Sequence, residues 1–273
     1  MKFSIITVNY NNKDGLEKTI KSIIGQTFYD YELIIIDGGS NDGSADILKE
    51  YDAFITYWIS EKDKGIYNAM NKGILKATGE YLNFMNSGDC FYTPDILEKV
   101  DKIKTDADFI VGKDYHFSDK TKKGHASNHP PYITMIHFFT STLDHQSSFI
   151  KRELFNNSLY NENYRWVSDW VFFTEKIVSE SKSVQFIPDI ICLREEGQIN
   201  RMEINKLEMD NFLQTFLPYG VYRDYATLTK MERSSLYKLL DICENEKMRK
   251  VLNICIKAIF KLMRGHHVPH IYP

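Results

Sequence analysis

The 273-residue sequence lacks several features that would place it quickly in a class of protein. Its four cysteines form no C-x-x-C pair, so they indicate neither a disulfide framework nor a structural zinc site. No apolar run approaches the roughly 18 residues that a membrane-spanning helix needs. The first apolar stretch is also too short for a signal peptide. We therefore expect reduced thiols and a cytoplasmic protein.

Two common nucleotide-binding motifs and a strong net charge are absent as well. The net charge of −3 gives no general attraction to nucleic acid, so no nucleic-acid partner is expected. The segment after the first predicted strand reads N-Y-N-N, which argues against the dinucleotide motif G-x-G-x-x-G. The phosphate-binding motif G-x-x-x-x-G-K-[ST] does not occur either. A nucleotide would therefore have to be held by side chains and a metal.

What the sequence does contain is an alternation of short apolar runs and amphipathic helical patterns. The predicted strands span residues 3–8, 32–36, 55–59 and 81–85. Helices are expected between them, and Gly79 is placed to end the third one. This alternation predicts a parallel α/β sheet. Residues 119–131 are polar and are predicted to form a mobile loop.

The most informative segment is E-L-I-I-I-D-G-G-S-N-D-G-S, residues 32–44. It places Asp37 at the carboxyl end of a buried strand, the edge of an α/β sheet where ligands bind. A carboxylate beside the flexible Gly38 suits a nucleobase or a ribose. Alternatively, Asp37 only caps the helix that follows.

Three later segments carry further charged candidates. In D-K-G-I-Y-N-A-M-N-K-G-I, Lys64 near a helix start suits a phosphate, although Asp63 could simply cap that helix. In F-M-N-S-G-D, Asp89 could hold Mg²⁺ or Mn²⁺ together with substrate phosphates, or only stabilise a turn. In V-S-D-W-V-F-F, the helix dipole would keep Asp169 ionised and able to accept a proton, with capping as the alternative.

In this order, and with D-H-Q-S-S-F between the last two, these segments resemble the family 2 glycosyltransferases, which are inverting enzymes of the GT-A fold. The resemblance covers about residues 2–193 and looks closest to the branch that builds bacterial exopolysaccharide, capsule and O-antigen. It implies transfer of a sugar from a nucleoside-diphosphate donor, with UDP favoured. The acceptor would be a hydroxyl of a saccharide or a lipid-linked saccharide.

The resemblance also implies a role for each matching position. The donor nucleotide would be bound by Thr7, Asn9, Tyr10, Asp37, Gly38, Asp63, Lys64, Asn86 and Ser87. The metal would be held by Asp89, although Gly88 stands where the family usually has a first aspartate. Asp169 would be the catalytic base. The donor sugar and acceptor would face His145, Gln146 and Trp170.

The sequence predicts a glycosyltransferase domain at residues 1–225 and a helical region at 226–273. From Lys247 onward there are six basic residues and no acidic one. Residues 250–264 form a basic amphipathic pattern. Such a helix either lies peripherally on the inner face of the plasma membrane or packs on the domain.

Two other functions remain open. A sugar-nucleotide-binding module without turnover would explain Gly88. The presence of both Asp89 and Asp169 argues against it, because such a module has no use for a catalytic base. A nucleotidyltransferase would need a basic, glycine-rich loop after the first strand, where the chain offers only Lys13 and Gly15.

Overall fold

The computed structural model describes residues 1–118, 121–128, 132–195, 202–232 and 254. The strands are β1 (Phe3–Asn9), β2 (Tyr31–Asp37), β3 (Tyr57–Ser60), β4 (Tyr81–Phe84), β5 (Cys90–Phe91), β6 (Phe109–Ser118), β7 (Lys123–Ala126), β8 (Ser148–Lys151) and β9 (Val184–Glu195). The α-helices are α1 (Lys13–Ile24), α2 (Ser44–Glu50), α3 (Ile66–Lys76), α4 (Ile96–Asp101), α5 (Met135–Thr140), α6 (Ser168–Phe173), α7 (Met202–Phe216) and α8 (Tyr219–Glu232).

These strands form one mixed sheet in the order β3-β2-β1-β4-β8-β6-β9-β5, with β7 paired to β6. The first four strands are parallel, and β8 runs antiparallel to both β4 and β6. The chain passes from β1 to β2 and β3 on one side, then crosses to β4 on the other side of β1. The carboxyl ends of β1 and β4 therefore frame the switch point at which open α/β sheets bind ligands.

The core lies around the parallel strands. All seven residues of β1 are buried, and so is every residue of β2 after the first. Ile34, Ile35 and Ile36 are fully buried because helices pack on the sheet formed by the two strands. Each such side chain contributes about 1.5–3 kcal/mol when it leaves water. This rigid centre fixes where the strand ends lie.

The predicted α/β alternation is confirmed, with two corrections. Helix α3 ends at Lys76 with Ala77 as its cap, so Gly79 does not terminate it. Gly79 instead lies against β1, where an added Cβ would meet the backbone nitrogen of Ser4 at 2.6 Å. The predicted loop at 119–131 contains strand β7, whose mostly exposed sequence K-G-H-A gives no alternating apolar pattern.

The chain divides into two compact units, Met1–Phe212 and Leu213–Pro273. The first contains the whole sheet, and the second contains α8. The boundary predicted after residue 225 stays a prediction. The predicted basic helix at 250–264 lies outside the described residues except for Ile254. Among the helices that the structure describes, none has the length and apolarity to cross a bilayer.

Candidate active site

The loops after the four parallel strands bring most of the predicted residues to one edge of the sheet. Asn9, Asp37 and Ser60 stand side by side at the ends of β1, β2 and β3. The turn after β4 begins at Met85, which is bonded to β1 through the carbonyl of Ile6. The topology therefore places these residues at the sheet edge that the sequence predicted.

Asp37 is fully buried, and its carboxylate is used internally. One oxygen accepts hydrogen bonds from Asn9 Nδ2 at 2.7 Å and from the Ser40 hydroxyl. The other accepts from the Ser40 backbone N–H at 2.9 Å and from the Ser60 hydroxyl. Burial alone would raise the pKa of Asp37, but the bonds from Ser40, Ser60 and Asn9 outweigh it and lower the pKa. The ionised Asp37 thus links the ends of three strands through hydrogen bonds. Thr7 is fully buried beneath the same edge.

Asp63 lies at the surface of this edge, next to Gly38. Its Oδ1 accepts a hydrogen bond from the backbone N–H of Gly65 at 2.9 Å. Its Oδ2 lies 2.6 Å from the point that a Cβ on Gly38 would occupy. The side chain of Tyr10 is 66% exposed beside the same glycine. Lys64 is exposed on the loop that leads into α3.

The turn Asn86-Ser87-Gly88-Asp89 is tied to the start of α1. The N–H of Gly88 donates to the carbonyl of Gly15 at 3.1 Å and to the hydroxyl of Thr19 at 2.9 Å. Asn12 Nδ2 donates to the carbonyl of Ser87 at 3.0 Å. Gly88 has a φ of 104°, a conformation that residues with a Cβ adopt at a cost. The backbone therefore accounts for a glycine at this position.

Asp89 is mostly buried, and its Oδ2 accepts a hydrogen bond from Gln146 Nε2 at 2.9 Å. Burial raises the pKa of Asp89, and the nearby charge of Arg194 and the bond from Gln146 only partly offset this. The amide oxygens of Asn86 and Gln146 are buried and accept no hydrogen bond from the described residues. A destabilised carboxylate with spare oxygen atoms nearby is a donor set that suits a hard divalent cation.

Asp169 lies at the start of α6 and is held from both sides. Its Oδ1 accepts from the Tyr67 hydroxyl at 2.7 Å, and its Oδ2 is 2.7 Å from His145 Nδ1. The Nε2 of His145 is 2.9 Å from Asn86 Nδ2. Because an amide nitrogen can only donate, Nε2 is the acceptor and Nδ1 carries the proton. The side chains of Asp169 and His145 remain 15% and 13% exposed.

The pKa of Asp169 follows from these bonds. Burial alone would raise the pKa, but the hydrogen bonds from His145 and Tyr67 outweigh it and lower the pKa. The carboxylate is therefore ionised at neutral pH, and the Asp169 side chain keeps some exposure to solvent. This is the state that a general base needs.

The 3₁₀ turn at residues 145–147 joins these groups. Successive side chains of such a helix point about 120° apart, since it has three residues per turn. His145 consequently reaches Asp169, and Gln146 reaches Asp89. The residue before the turn, Asp144, pairs with Arg194 at 2.7 Å. The D-H-Q segment thus contacts the candidate base and the candidate metal carboxylate at once.

Sequence reasoning missed an acidic pair beside this turn. Arg194 Nη1 lies between Asp144, at 2.7 Å, and Asp114, at 3.4 Å. Burial and the charge of Asp144 raise the pKa of Asp114 to about 8. With His116 the two carboxylates form a group whose ligand atoms lie within 4.8 Å of one another, although the guanidinium already neutralises part of their charge. The detectable signal was a charged residue in each of two strands that begin or run through apolar stretches, Asp114 after F-I-V and Arg194 after I-I-C-L.

Trp170 does not join the exposed part of the site. It is 3% exposed, and its Nε1 donates to the carbonyl of Phe138 at 3.1 Å. Its ring packs edge-on against Phe212. The residue therefore anchors the first turns of α6, and its predicted contact with the donor sugar or acceptor stays a prediction.

The sheet, its switch-point crevice and the carboxylates around it place the chain in the GT-A fold class. Staphylococcus aureus TarS 1–349 in complex with UDP-GlcNAc has this fold, with a TM-score of 0.65 at 15% identity over 91% of this chain and 77% of that one. The mannosyltransferase PcManGT of Pyrobaculum calidifontis in complex with GDP-Man and Mn²⁺ gives 0.55 at 14% identity, over 97% and 88%.

The family follows from the sequence comparison. The model for glycosyl transferase family 2 matches residues 4–176, and the chain belongs to that family. A PGL/p-HBAD biosynthesis glycosyltransferase of Mycobacterium bovis is 32% identical over 62% of this chain and 67% of its own length. An uncharacterized glycosyltransferase of Mycobacterium tuberculosis is 43% identical over 95 residues, which span 34% of this chain and only 36% of that relative.

Proposed function

We propose that the protein is an inverting glycosyltransferase that moves a sugar from a nucleoside-diphosphate donor to a hydroxyl of a saccharide or lipid-linked saccharide. The observation that carries the proposal is the single turn that contacts both Asp89 and the ionised Asp169. Family membership and the relatives named for glycosyltransfer support the reaction class. The UDP-GlcNAc complex of TarS favours a UDP-sugar as donor, and the PGL/p-HBAD relative favours a cell-surface glycan as product.

The donor nucleotide is assigned to the edge formed by the ends of β1 to β4. Tyr10, Gly38, Asp63 and Lys64 line its outer part, and Asn86 and Ser87 its inner part. Three buried residues support this edge from beneath and have almost no accessible surface for the nucleotide: Thr7, Asn9 and Asp37. His145 and Gln146 lie between this site and Asp169, and this is where the donor sugar and acceptor would meet.

A divalent cation, Mg²⁺ or Mn²⁺, fits the carboxylate of Asp89 and the spare amide oxygens around it. When bound, the metal would neutralise the charge that develops on the departing diphosphate. The Mn²⁺ complex of PcManGT is consistent with this choice of ion.

The proposed reaction is one in-line displacement. Asp169 accepts the proton of the acceptor hydroxyl while that oxygen attacks the anomeric carbon, and the bond from this carbon to the diphosphate oxygen breaks. The nucleoside diphosphate leaves, and the configuration at the anomeric carbon inverts. General-base assistance of this kind is worth about 10²- to 10⁴-fold in rate. Tyr67 and His145 keep the carboxylate ionised and oriented.

The test is release of nucleoside diphosphate from a panel of UDP-, dTDP- and GDP-sugars, with and without Mn²⁺, in the presence of saccharide and lipid-linked acceptors. Metal-dependent release with acceptor present is expected for one donor. Tight donor binding without any release would instead support the inactive binding module. Gly88, the feature that favours that alternative, is explained by its positive φ.

Cytoplasmic location and peripheral membrane contact belong to the same proposal. A lipid-linked acceptor would bring the protein to the inner face of the membrane, and the basic residues after Lys247 suit anionic lipid. Removal of residues 248–273 should then reduce co-sedimentation with vesicles of phosphatidylglycerol. Equal sedimentation of both proteins would remove the membrane contact from the proposal.

A further inference from the structure

We infer that Asp63, and not Asp37, reads the nucleobase, and that it selects bases with a ring N–H over cytosine. The inference deepens the proposed function, since it concerns the donor nucleotide of that same site. Asp37 and Asp63, which follow neighbouring strands, differ in burial and in hydrogen bonding.

The carboxylate of Asp37 is already occupied by hydrogen bonds within the protein. Its two oxygens accept four hydrogen bonds from Asn9, Ser40 and Ser60, and the residue is fully buried. A base could bond to it only if one of these partners were displaced, which would leave the buried Asn9 amide or a half-buried serine hydroxyl without its acceptor. An unpaired buried group costs about 1–3 kcal/mol. Asp37 is therefore poorly placed to contact a ligand.

Only one carboxylate oxygen of Asp63 accepts a hydrogen bond from the described residues. One oxygen is fixed by the N–H of Gly65 at 2.9 Å, so the carboxylate has a defined orientation. The other oxygen is turned toward Gly38 and accepts no hydrogen bond from the described residues. It approaches the end of β2 so closely that a methyl group on Gly38 would lie 2.6 Å away. The missing side chain at position 38 thus provides the space that Asp63 uses.

The aromatic ring of Tyr10 lies beside the same glycine. Its Cδ2 lies 3.1 Å from the same Cβ position of Gly38, so the aromatic ring and the free carboxylate oxygen flank one spot. The ring is 66% exposed at the carboxyl end of β1. An exposed aromatic face binds a base by stacking, which is worth about 1–3 kcal/mol per base. A stacked base would meet the Asp63 carboxylate with its edge.

The chemistry of that edge sets the selection. An ionised carboxylate only accepts hydrogen bonds. Uracil and thymine present N3–H, and guanine presents N1–H, whereas N3 of cytosine carries a lone pair. A cytosine in this position would place two acceptors against each other. The site should therefore take UDP, dTDP or GDP sugars and reject CDP sugars.

The experiment is calorimetric titration of UDP and CDP, each with Mn²⁺, into the full-length chain and two variants. The wild type should bind UDP at least tenfold more tightly than CDP. In Asp63→Asn the amide can donate to cytosine N3, so the preference should fall to about threefold or less. Gly38→Ala should weaken UDP binding severalfold with little change for CDP, because the new methyl displaces the carboxylate. Asp46→Asn, an exposed change on α2, is the control that should match the wild type.

An unchanged UDP-to-CDP ratio in Asp63→Asn would overturn the inference, and so would equal binding of the two nucleotides to the wild type. In both cases the proposed transferase would survive, since UDP still binds. Binding of neither nucleotide by the wild type would overturn the donor site itself. Gly38→Ala keeps the assignment testable if Asp63→Asn does not fold, because Gly38 lies outside the left-handed region of φ that favours glycine.

Discussion

Asp37 and Asp169 are both ionised carboxylates at the ends of secondary-structure elements, yet they occupy opposite situations. In each case hydrogen bonds outweigh burial and lower the pKa. Asp37 is fully buried, and its carboxylate accepts four hydrogen bonds from within the protein. The Asp169 side chain keeps 15% exposure and two partners, one of which continues to Asn86. A lowered pKa therefore does not distinguish the two carboxylates, whereas their remaining accessible surface does.

The largest effect on stability should come from substitution of the fully buried Asp37. Asp37→Ala leaves the buried Asn9 amide and the half-buried hydroxyls of Ser40 and Ser60 without their shared acceptor. Since an unpaired buried group costs about 1–3 kcal/mol, we expect a loss of about 3 kcal/mol in the free energy of unfolding, measured by urea denaturation. Asp169→Ala should lose clearly less. Equal losses would end the contrast between the two residues.

The next largest effect should be a fall in kcat on substitution of His145, the hydrogen-bond partner of the partly exposed Asp169. His145→Ala removes the bond that orients Asp169, and misplacement of a catalytic group can cost about 10²-fold in rate. We expect kcat to fall by that order while the Kd for UDP stays within about twofold. His145→Gln should recover part of kcat, since its amide can still donate. A rise in KM with unchanged kcat would assign His145 to substrate binding instead.

A smaller effect is expected at Gly88. Its φ of 104° means that Gly88→Ala should cost about 1–3 kcal/mol of stability. Gly88→Asp should share this loss and should not strengthen Mn²⁺ binding, since strain would move Asp89. Thermal unfolding with and without Mn²⁺ measures both quantities, with Gly220→Ala as the control at a glycine with open space. Tighter Mn²⁺ binding by Gly88→Asp would contradict this prediction and would show that the turn tolerates a carboxylate at position 88 in addition to Asp89.

The smallest effect should appear in acid. The folded pKa of Asp37 is lowered, so its contribution to stability is present above the unfolded value of about 3.9 and is lost as the pH falls through the folded value. Melting temperatures recorded from pH 5 to pH 2 should therefore fall less steeply for Asp37→Asn than for the wild type. Asp46→Asn should follow the wild-type curve. Parallel curves for Asp37→Asn and the wild type would contradict the assignment.

The sequence predicted the elements that local pattern determines. The apolar run that ends at Asp37 fixed both a strand and the edge on which its carboxylate lies. Strand β7 was missed because its sequence K-G-H-A is mostly exposed and contains no apolar alternation, so no periodicity marks it. Gly79 was misread because a packing contact with Ser4 and a helix cap both require glycine.

The parts of the site that could not be predicted depend on contacts between distant residues. The saturation of Asp37 rests on Ser60, 23 positions away. Arg194 meets Asp144 across 50 positions, and Tyr67 meets Asp169 across 102. No local motif encodes such distances, and the approach of Asp63 to Gly38 likewise depends on how two strand-end loops pack. The sequence therefore located the edge of the sheet, and the structure determined which carboxylates remain free on it.

The most direct test of the account is Asp169→Asn, assayed for both donor binding and transfer. The substitution keeps the shape of the side chain but removes the proton acceptor. We expect Mn²⁺-dependent transfer to fall by about 10²- to 10⁴-fold while the Kd for UDP changes by less than about threefold. Transfer at close to the wild-type rate would contradict the assignment of Asp169 as the base and, with it, the central claim.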